Sequence, residues 1–324
     1  MNADAIYEAT KLSTDQIRDD MPQFDTEILL ATYNGAKFLP ELLESLDRQT
    51  DQNWRVVARD DGSSDDTVTI LRTWGREKGS RFLMLEGGPK GLGASGNFGA
   101  LLDACTARYF LPCDQDDVWL DQKVERLRIA IREEEERSGQ DTPLIVHTDL
   151  IVVDENLVSI SESFCRYQRI QMLPEKYPWK LLARHNVVTG CAMIGNRALL
   201  SDALPVPREA LMHDWWLALI CSLQGRILFQ NEPSVLYRQH GGNALGAQKW
   251  TTWRLLKLAM STPFSLLKRP RQALKRTQAQ AAVVMKRLGG RLSVDQAEFL
   301  QGYAQMHSAG LIARRLFTFQ NRGS

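Results

Sequence analysis

Residues Asp114-Gln115-Asp116-Asp117 place three acids in four positions, directly after the apolar run Tyr109-Phe110-Leu111-Pro112-Cys113. Carboxylates packed so closely repel one another unless a cation sits among them. Asp114 and Asp116, at i and i+2 on a turn, can both face one divalent ion. A hard ion such as Mg²⁺ or Mn²⁺ takes oxygen ligands and bridges them to substrate phosphates. Asp117 has a plainer use, capping a helix expected over Trp119–Glu136. A second acidic group, Arg59-Asp60-Asp61-Gly62-Ser63-Ser64, follows the run Trp54–Ala58. Asp61 can accept the N3–H of a pyrimidine base there, or simply complete a turn. Tyr33, in Tyr33-Asn34-Gly35 after the run Glu27–Ala31, can stack on such a base or serve as a half-buried rim residue.

These groups share a position relative to the elements that must hold them. Strands are expected at Glu27–Ala31, Trp54–Ala58, Phe82–Leu85 and Arg108–Cys113. Helices are expected at Phe38–Leu46, Thr67–Lys78 and Ala94–Ala107, with Ser64, Asp65 and Asp66 available as N-caps. Strand–helix alternation implies right-handed crossovers and an α/β fold built on a mostly parallel sheet. Ligands of such sheets bind beyond the carboxyl ends of the strands. Three of those ends carry the unusual polar residues, so one crevice gathers them.

The runs ATYNGAKFLPELLESLDRQT, RDDGSSDDT, GLGASGNFGALL and DQDDVW, the last followed by Lys123, resemble in order and spacing the family 2 glycosyltransferases of the GT-A fold. The similarity spans about residues 26–245, and the DQDDVW form resembles the rhamnosyltransferase-like branch. The resemblance implies a GT-A type, Rossmann-like sheet flanked by helices, and a sugar passed from a UDP- or dTDP-sugar to a hydroxyl of a glycan or lipid-linked acceptor. It implies a donor site of Thr32, Tyr33, Asn34, Asp61, Asp114, Gln115 and Asp116, with Asp114 and Asp116 holding Mn²⁺ or Mg²⁺. It further implies His240 at the metal and Arg238 at the diphosphate, from Tyr237-Arg238-Gln239-His240-Gly241-Gly242-Asn243. Asp214, in Met212-His213-Asp214-Trp215-Trp216, carries over as the catalytic base, and Gly190, Cys191 and Trp215 as the acceptor side. His213 departs from the family's usual Glu or Asp at that position.

Elementary chemistry asks for the same parts. Inverting transfer needs a base on the attacking hydroxyl, worth ~10²–10⁴-fold, and a cation for charge developing on the leaving diphosphate. Asp214 also has a structural alternative, as N-cap of a helix over Trp215–Leu223. Lys123 can approach the donor phosphates or be a solvated lysine, and Glu133–Glu136 reads as a solvated face. A sugar-phosphate nucleotidyltransferase is the competing enzyme class, but it expects a Gly-rich basic loop where this chain has TYNGAKF. A non-catalytic protein on the same fold is the other alternative, and four intact acids argue against it.

The whole chain, 324 residues with a formal charge of +1, has ordinary globular composition and suggests no polyanionic partner. The charge is nonetheless uneven. Lys249 to Val294 holds eleven Lys/Arg and no acid, interleaved with Trp250, Trp253 and several leucines. Such a segment suits an anionic membrane surface, or else packs on the core or on a second copy. No nucleic-acid motif accompanies it. Five scattered cysteines, no apolar leader and no ~20-residue apolar span suggest a cytoplasmic protein, at most on the cytosolic face of the inner membrane. Three regions are expected: an arm at 1–25, a catalytic domain at 26–247 and a basic helical region at 248–324.

Overall fold

The computed structural model describes residues 24–241 and 268–306. In chain order, β1 (Thr26–Thr32), α1 (Leu39–Asp47), β2 (Trp54–Asp60), α2 (Thr67–Lys78), β3 (Phe82–Met84), α3 (Gly93–Ala104) and β4 (Tyr109–Asp114) form the first half. A short β5 (Val118–Trp119) precedes α4 (Lys123–Ser138), β6 (Leu144–Thr148), β7 (Ile151–Val153) and β8 (Ser159–Ser161). Then come α5 (Phe164–Gln168), α6 (Pro178–Leu182), β9 (Met193–Asn196), α7 (Arg197–Ala203), α8 (His213–Gln224), β10 (Arg226–Gln230) and β11 (Val235–Arg238). The helices α9 (Lys268–Leu288) and α10 (Val294–Gln305) follow.

The main sheet has the order β10-β6-β9-β4-β1-β2-β3. All its pairings are parallel except those of β9, which runs against β4 and β6. Both faces are covered, which is why β1 reads as a continuous apolar run instead of an alternating one. Leu29 packs with Phe98, Leu101, Phe110 and Trp216 in one core layer, while Ile28 and Leu30 pack with Leu42, Trp54, Leu111 and Leu127 in the other. A second sheet, β5-β11-β7-β8, carries the segment that ends at Arg238.

The expected strands and helices are present, with two informative differences. β1 and β2 run on to Thr32 and Asp60, so those side chains belong to the sheet rim and not to loops. The helix expected from Trp119 starts only at Lys123, because Val118 and Trp119 pair antiparallel with Leu236 and Val235. A β-branched and aromatic pair with a partner strand at hand is better satisfied as a strand than as a helix start.

The described part of the basic region packs on the core. Arg287 donates to Pro205 O at 2.8 Å, Gln280 Oε1 accepts from Leu211 N at 3.0 Å, and Gln296 donates to Leu223 O at 3.0 Å. Val284, Leu288, Phe299 and Leu300 join the layer that contains α8. The tryptophans at 250 and 253 and the expected boundary at 247/248 lie outside the described residues, as does nearly all of the expected N-terminal arm.

Candidate active site

The rims of β1 and β2 interlock. Thr32 Oγ1 donates to Asp60 Oδ1 at 2.9 Å, and Asp60 Oδ2 accepts from Gly62 N and Ser63 N at 3.0 and 2.7 Å. Burial works to raise the Asp60 carboxyl, but the Ser63 hydroxyl and these amides hold it below the usual range. Asn34 is in the left-handed region, φ 48°, where its amide oxygen accepts from Ser64 N at 2.8 Å. Asp61 is buried. Its Oδ1 accepts from Leu92 N at 3.0 Å and Arg59 Nη1 at 3.4 Å, and its Oδ2 from Gly93 N at 2.8 Å. A carboxylate offers about four lone-pair sites, so Oδ2 keeps one for a further donor. The ring of Tyr33 stands 57% exposed beside this rim.

At the end of β4, Asp114 and Asp116 are half-buried. The Asp114 carboxyl is pushed up, first by burial and then by the charges of Asp116 and Asp214, with Lys123 opposing. The acid of α8 thus lies within electrostatic reach of the acid of β4. Asp116 Oδ2 lies 2.8 Å from His240 Nε2, and the His240 ring sits 4.6 Å from that of Phe38. Asp114, Asp116 and His240 offer carboxylate and imidazole donors of the kinds that a divalent Mn²⁺ or Mg²⁺ ion accepts, and His240 already stands at Asp116.

The neighbouring polar residues do other work. Arg238, expected at the diphosphate, is buried. Its Nε donates to Asp116 O at 2.8 Å, and its guanidinium also bonds Glu155 O and the Glu41 carboxylate. It thus braces the backbone of the acidic turn. Asp117 does not cap α4, whose N-cap is Gln122, but accepts from Arg238 N at 3.2 Å. Lys123 is not solvated either. It is 1% exposed, its ammonium bonds Cys191 O and lies 3.2 Å from the Trp119 ring centroid. Burial brings it down to about 8 despite the nearby acids.

Among the described residues one gathering has its ligand-type atoms within 4.8 Å of one another: Asp114, Asp117 and Cys191. Burial raises both Asp117 and the Cys191 thiol well above their ordinary values. Asp117 is wholly buried and bonded to Arg238 N, and Cys191 is buried beside the Lys123 ammonium, so this set suits packing more than a hard cation. Cys191 is therefore an interior thiol, not a group presented to an acceptor.

Asp214 occupies the second position of α8, whose N-cap is Met212, so it does not cap the helix as an N-cap side chain. Its Oδ2 accepts from Gly190 N at 3.0 Å and its Oδ1 from Trp215 N at 2.6 Å, with Asn186 as a further side-chain partner. Burial wins over these bonds and raises its carboxyl to about 6. Gly190 permits the approach: a Cβ there would meet His213 Nε2 at 2.9 Å and Asp214 Cβ at 3.3 Å. His213 stacks on Phe98 at 3.9 Å between centroids, and burial keeps it neutral, down at about 3. Trp215 is half-buried and donates its indole N–H to Leu182 O.

Asn186, Asn97, Glu41 and the buried role of Lys123 were not apparent from the sequence. Lys123 did leave a signal, since it falls on the face of α4 that buries Leu127 and Ile131. Asn97 carried none. It sits among the glycines of the α3 start, where its amide oxygen accepts from Arg59 Nη1 at 2.7 Å.

Against known proteins, the model of the family described as glycosyl transferase family 2 matches residues 27–194. An uncharacterized glycosyltransferase of Rickettsia prowazekii is 26% identical over 220 residues, 66% of this chain and 63% of the relative, so the chain spans less than two thirds of that protein. The dTDP-rhamnosyl transferase RfbG of Shigella flexneri is 23% identical over 222 residues, 67% of this chain and 74% of RfbG. The crystal structure of S. aureus TarS superposes with TM-score 0.56 at 16% identity, covering 89% of this chain and 44% of TarS. TarS 1-349 in complex with UDP-GlcNAc gives 0.55 at 14% identity, over 91% of this chain and 79% of that one. At such identities the likeness concerns the fold, which is of GT-A type.

Proposed function

The chain belongs to glycosyl transferase family 2, and from that premise we propose that it is an inverting, metal-dependent transferase passing a sugar from a UDP- or dTDP-sugar to an acceptor hydroxyl. What supports this reading is that the charge of Asp214, on α8, is felt at the Asp114 carboxyl that ends β4, which brings the two acids within electrostatic reach of one another. Rhamnose is the proposed sugar, on the similarity to the Shigella enzyme. The acceptor is proposed to be a growing cell-surface polysaccharide or a lipid-linked glycan.

On this reading each residue takes a role that its surroundings support. Tyr33 stacks on the base, and the lone pair remaining on Asp61 Oδ2 takes a pyrimidine N3–H, which uracil and thymine both offer. Asp114, Asp116 and His240 would hold the Mn²⁺ or Mg²⁺ ion, which when bound supplies positive charge to the leaving diphosphate. Arg238 keeps the acidic turn in place. Asp214, oriented by the Gly190 and Trp215 amides, removes the proton of the acceptor hydroxyl as that oxygen attacks the anomeric carbon. A panel of nucleotide sugars incubated with Mn²⁺ and a glycan acceptor tests the proposal. Release of nucleoside diphosphate with an inverted product anomer by NMR is expected, whereas retained configuration or no release from any donor contradicts it.

The pH dependence has a defined sign. Asp214 is raised to about 6, and only its ionised form is a base. Turnover is therefore expected to rise with pH through an apparent pKa near 6 and to be lost below it. A limb near 3.8, the ordinary aspartate value, would argue against this residue as the base.

We also propose a peripheral association with the cytosolic face of the inner membrane. Among the described residues no helix is long and apolar enough to cross a membrane. The exposed side of α9 presents Leu274, Lys275, Arg276 and Lys286, each cation worth ~1 kcal/mol near an anionic surface. Co-sedimentation with vesicles containing phosphatidylglycerol at low salt is expected. Equal recovery with neutral vesicles would refute the association.

A further inference from the structure

The middle residue of the acidic turn makes a contact that a donor-binding role does not require. Gln115 Oε1 accepts from Tyr33 N at 2.8 Å, and Gln115 Nε2 donates to Tyr33 O at 2.9 Å. One carboxamide thus satisfies both backbone groups of a single residue just past the end of the neighbouring strand. β1 and β4 are parallel partners, with Ala31 opposite Asp114 in the last paired position, and the clamp ties them just beyond that point. Gly35 makes the room. A Cβ at position 35 would lie 2.1 Å from Gln115 Oε1 and 2.3 Å from its Cδ. Gly35 does not need its backbone freedom here, since its φ is not positive. What it supplies is the absence of a side chain.

We propose that Gln115 is a positioning residue, whose amide fixes the backbone of Tyr33 and thereby the ring that receives the donor base. This rests on the base-stacking reading of Tyr33 given above. Both ends of the amide are engaged on the backbone of Tyr33, so the contact through which Gln115 acts is Tyr33 itself. Gly35 and Gln115 form one device: an alanine at 35 displaces the amide, and a small residue at 115 removes the need for the glycine.

The test is UDP affinity measured calorimetrically in the presence of Mn²⁺. Base–aromatic stacking is worth ~1–3 kcal/mol, so Gln115→Ala and Gly35→Ala should each weaken binding by roughly tenfold. Gly35→Ala should add nothing once Gln115 is alanine, because the clash is gone. In a Tyr33→Ala background neither substitution should weaken UDP binding further. Equal weakening by Gln115→Ala with and without the Tyr33 ring would overturn the clamp while leaving the donor reading intact. An unchanged affinity in Gly35→Ala, with a native melting temperature, would also overturn it. If Tyr33→Ala alone leaves UDP affinity unaltered, the ring does not receive the base and the proposal falls with that reading.

Discussion

Asp214→Asn is expected to lower transfer by ~10²–10⁴-fold while leaving UDP affinity within about twofold of the parent. The carboxylate sits at the start of α8, where burial raises it to about 6 and two backbone amides orient it. An asparagine keeps the shape but is not a base at neutral pH. It can also accept only one of the two backbone bonds with its single oxygen, so a small loss of melting temperature should accompany the loss of rate. The affinity measurement separates the two effects, since the donor groups lie at the ends of β1, β2, β4 and β11 and not on α8. Transfer at near the parental rate would place the base elsewhere.

Asp116→Ala should remove the Mn²⁺-dependent part of UDP binding. Losing a group that orients a metal ligand already costs 10–100-fold, and losing a ligand should cost on the order of 10²-fold or more. The fold should survive, because Arg238 braces this turn through the backbone oxygen of Asp116, which the substitution keeps. In EDTA, parent and variant should bind UDP equally weakly. A variant that retains the Mn²⁺ enhancement would refute Asp116 as a ligand, and with it the pairing to His240.

The part of this site legible in the sequence was the part encoded by local pattern. Apolar runs that end in polar residues mark strands buried on both faces and stopping at a polar rim, and β1, β2 and β4 behave accordingly. What escaped was set by distant partners. Trp119 opens the expected helical run, yet β11, more than a hundred residues on, takes it and Val118 as a strand. Lys123 looks like a surface lysine until Cys191 O and the Trp119 ring close over it. Arg238 has the charge for a diphosphate, but Glu41 and Glu155, remote in sequence, claim its guanidinium. Gln115 appears as one more donor residue of the turn, and only the register of β1 on β4 turns its amide onto Tyr33.

The account depends on the cation side and the base side sharing one crevice. Amide resonances of the isotopically labelled protein, recorded with UDP as diamagnetic Mg²⁺ is exchanged for paramagnetic Mn²⁺, test this directly. Broadening of Gly190 and Trp215 together with Gln115 is the predicted result. Broadening confined to Gln115 and its neighbours on β4, with Gly190 and Trp215 unaffected, would contradict it.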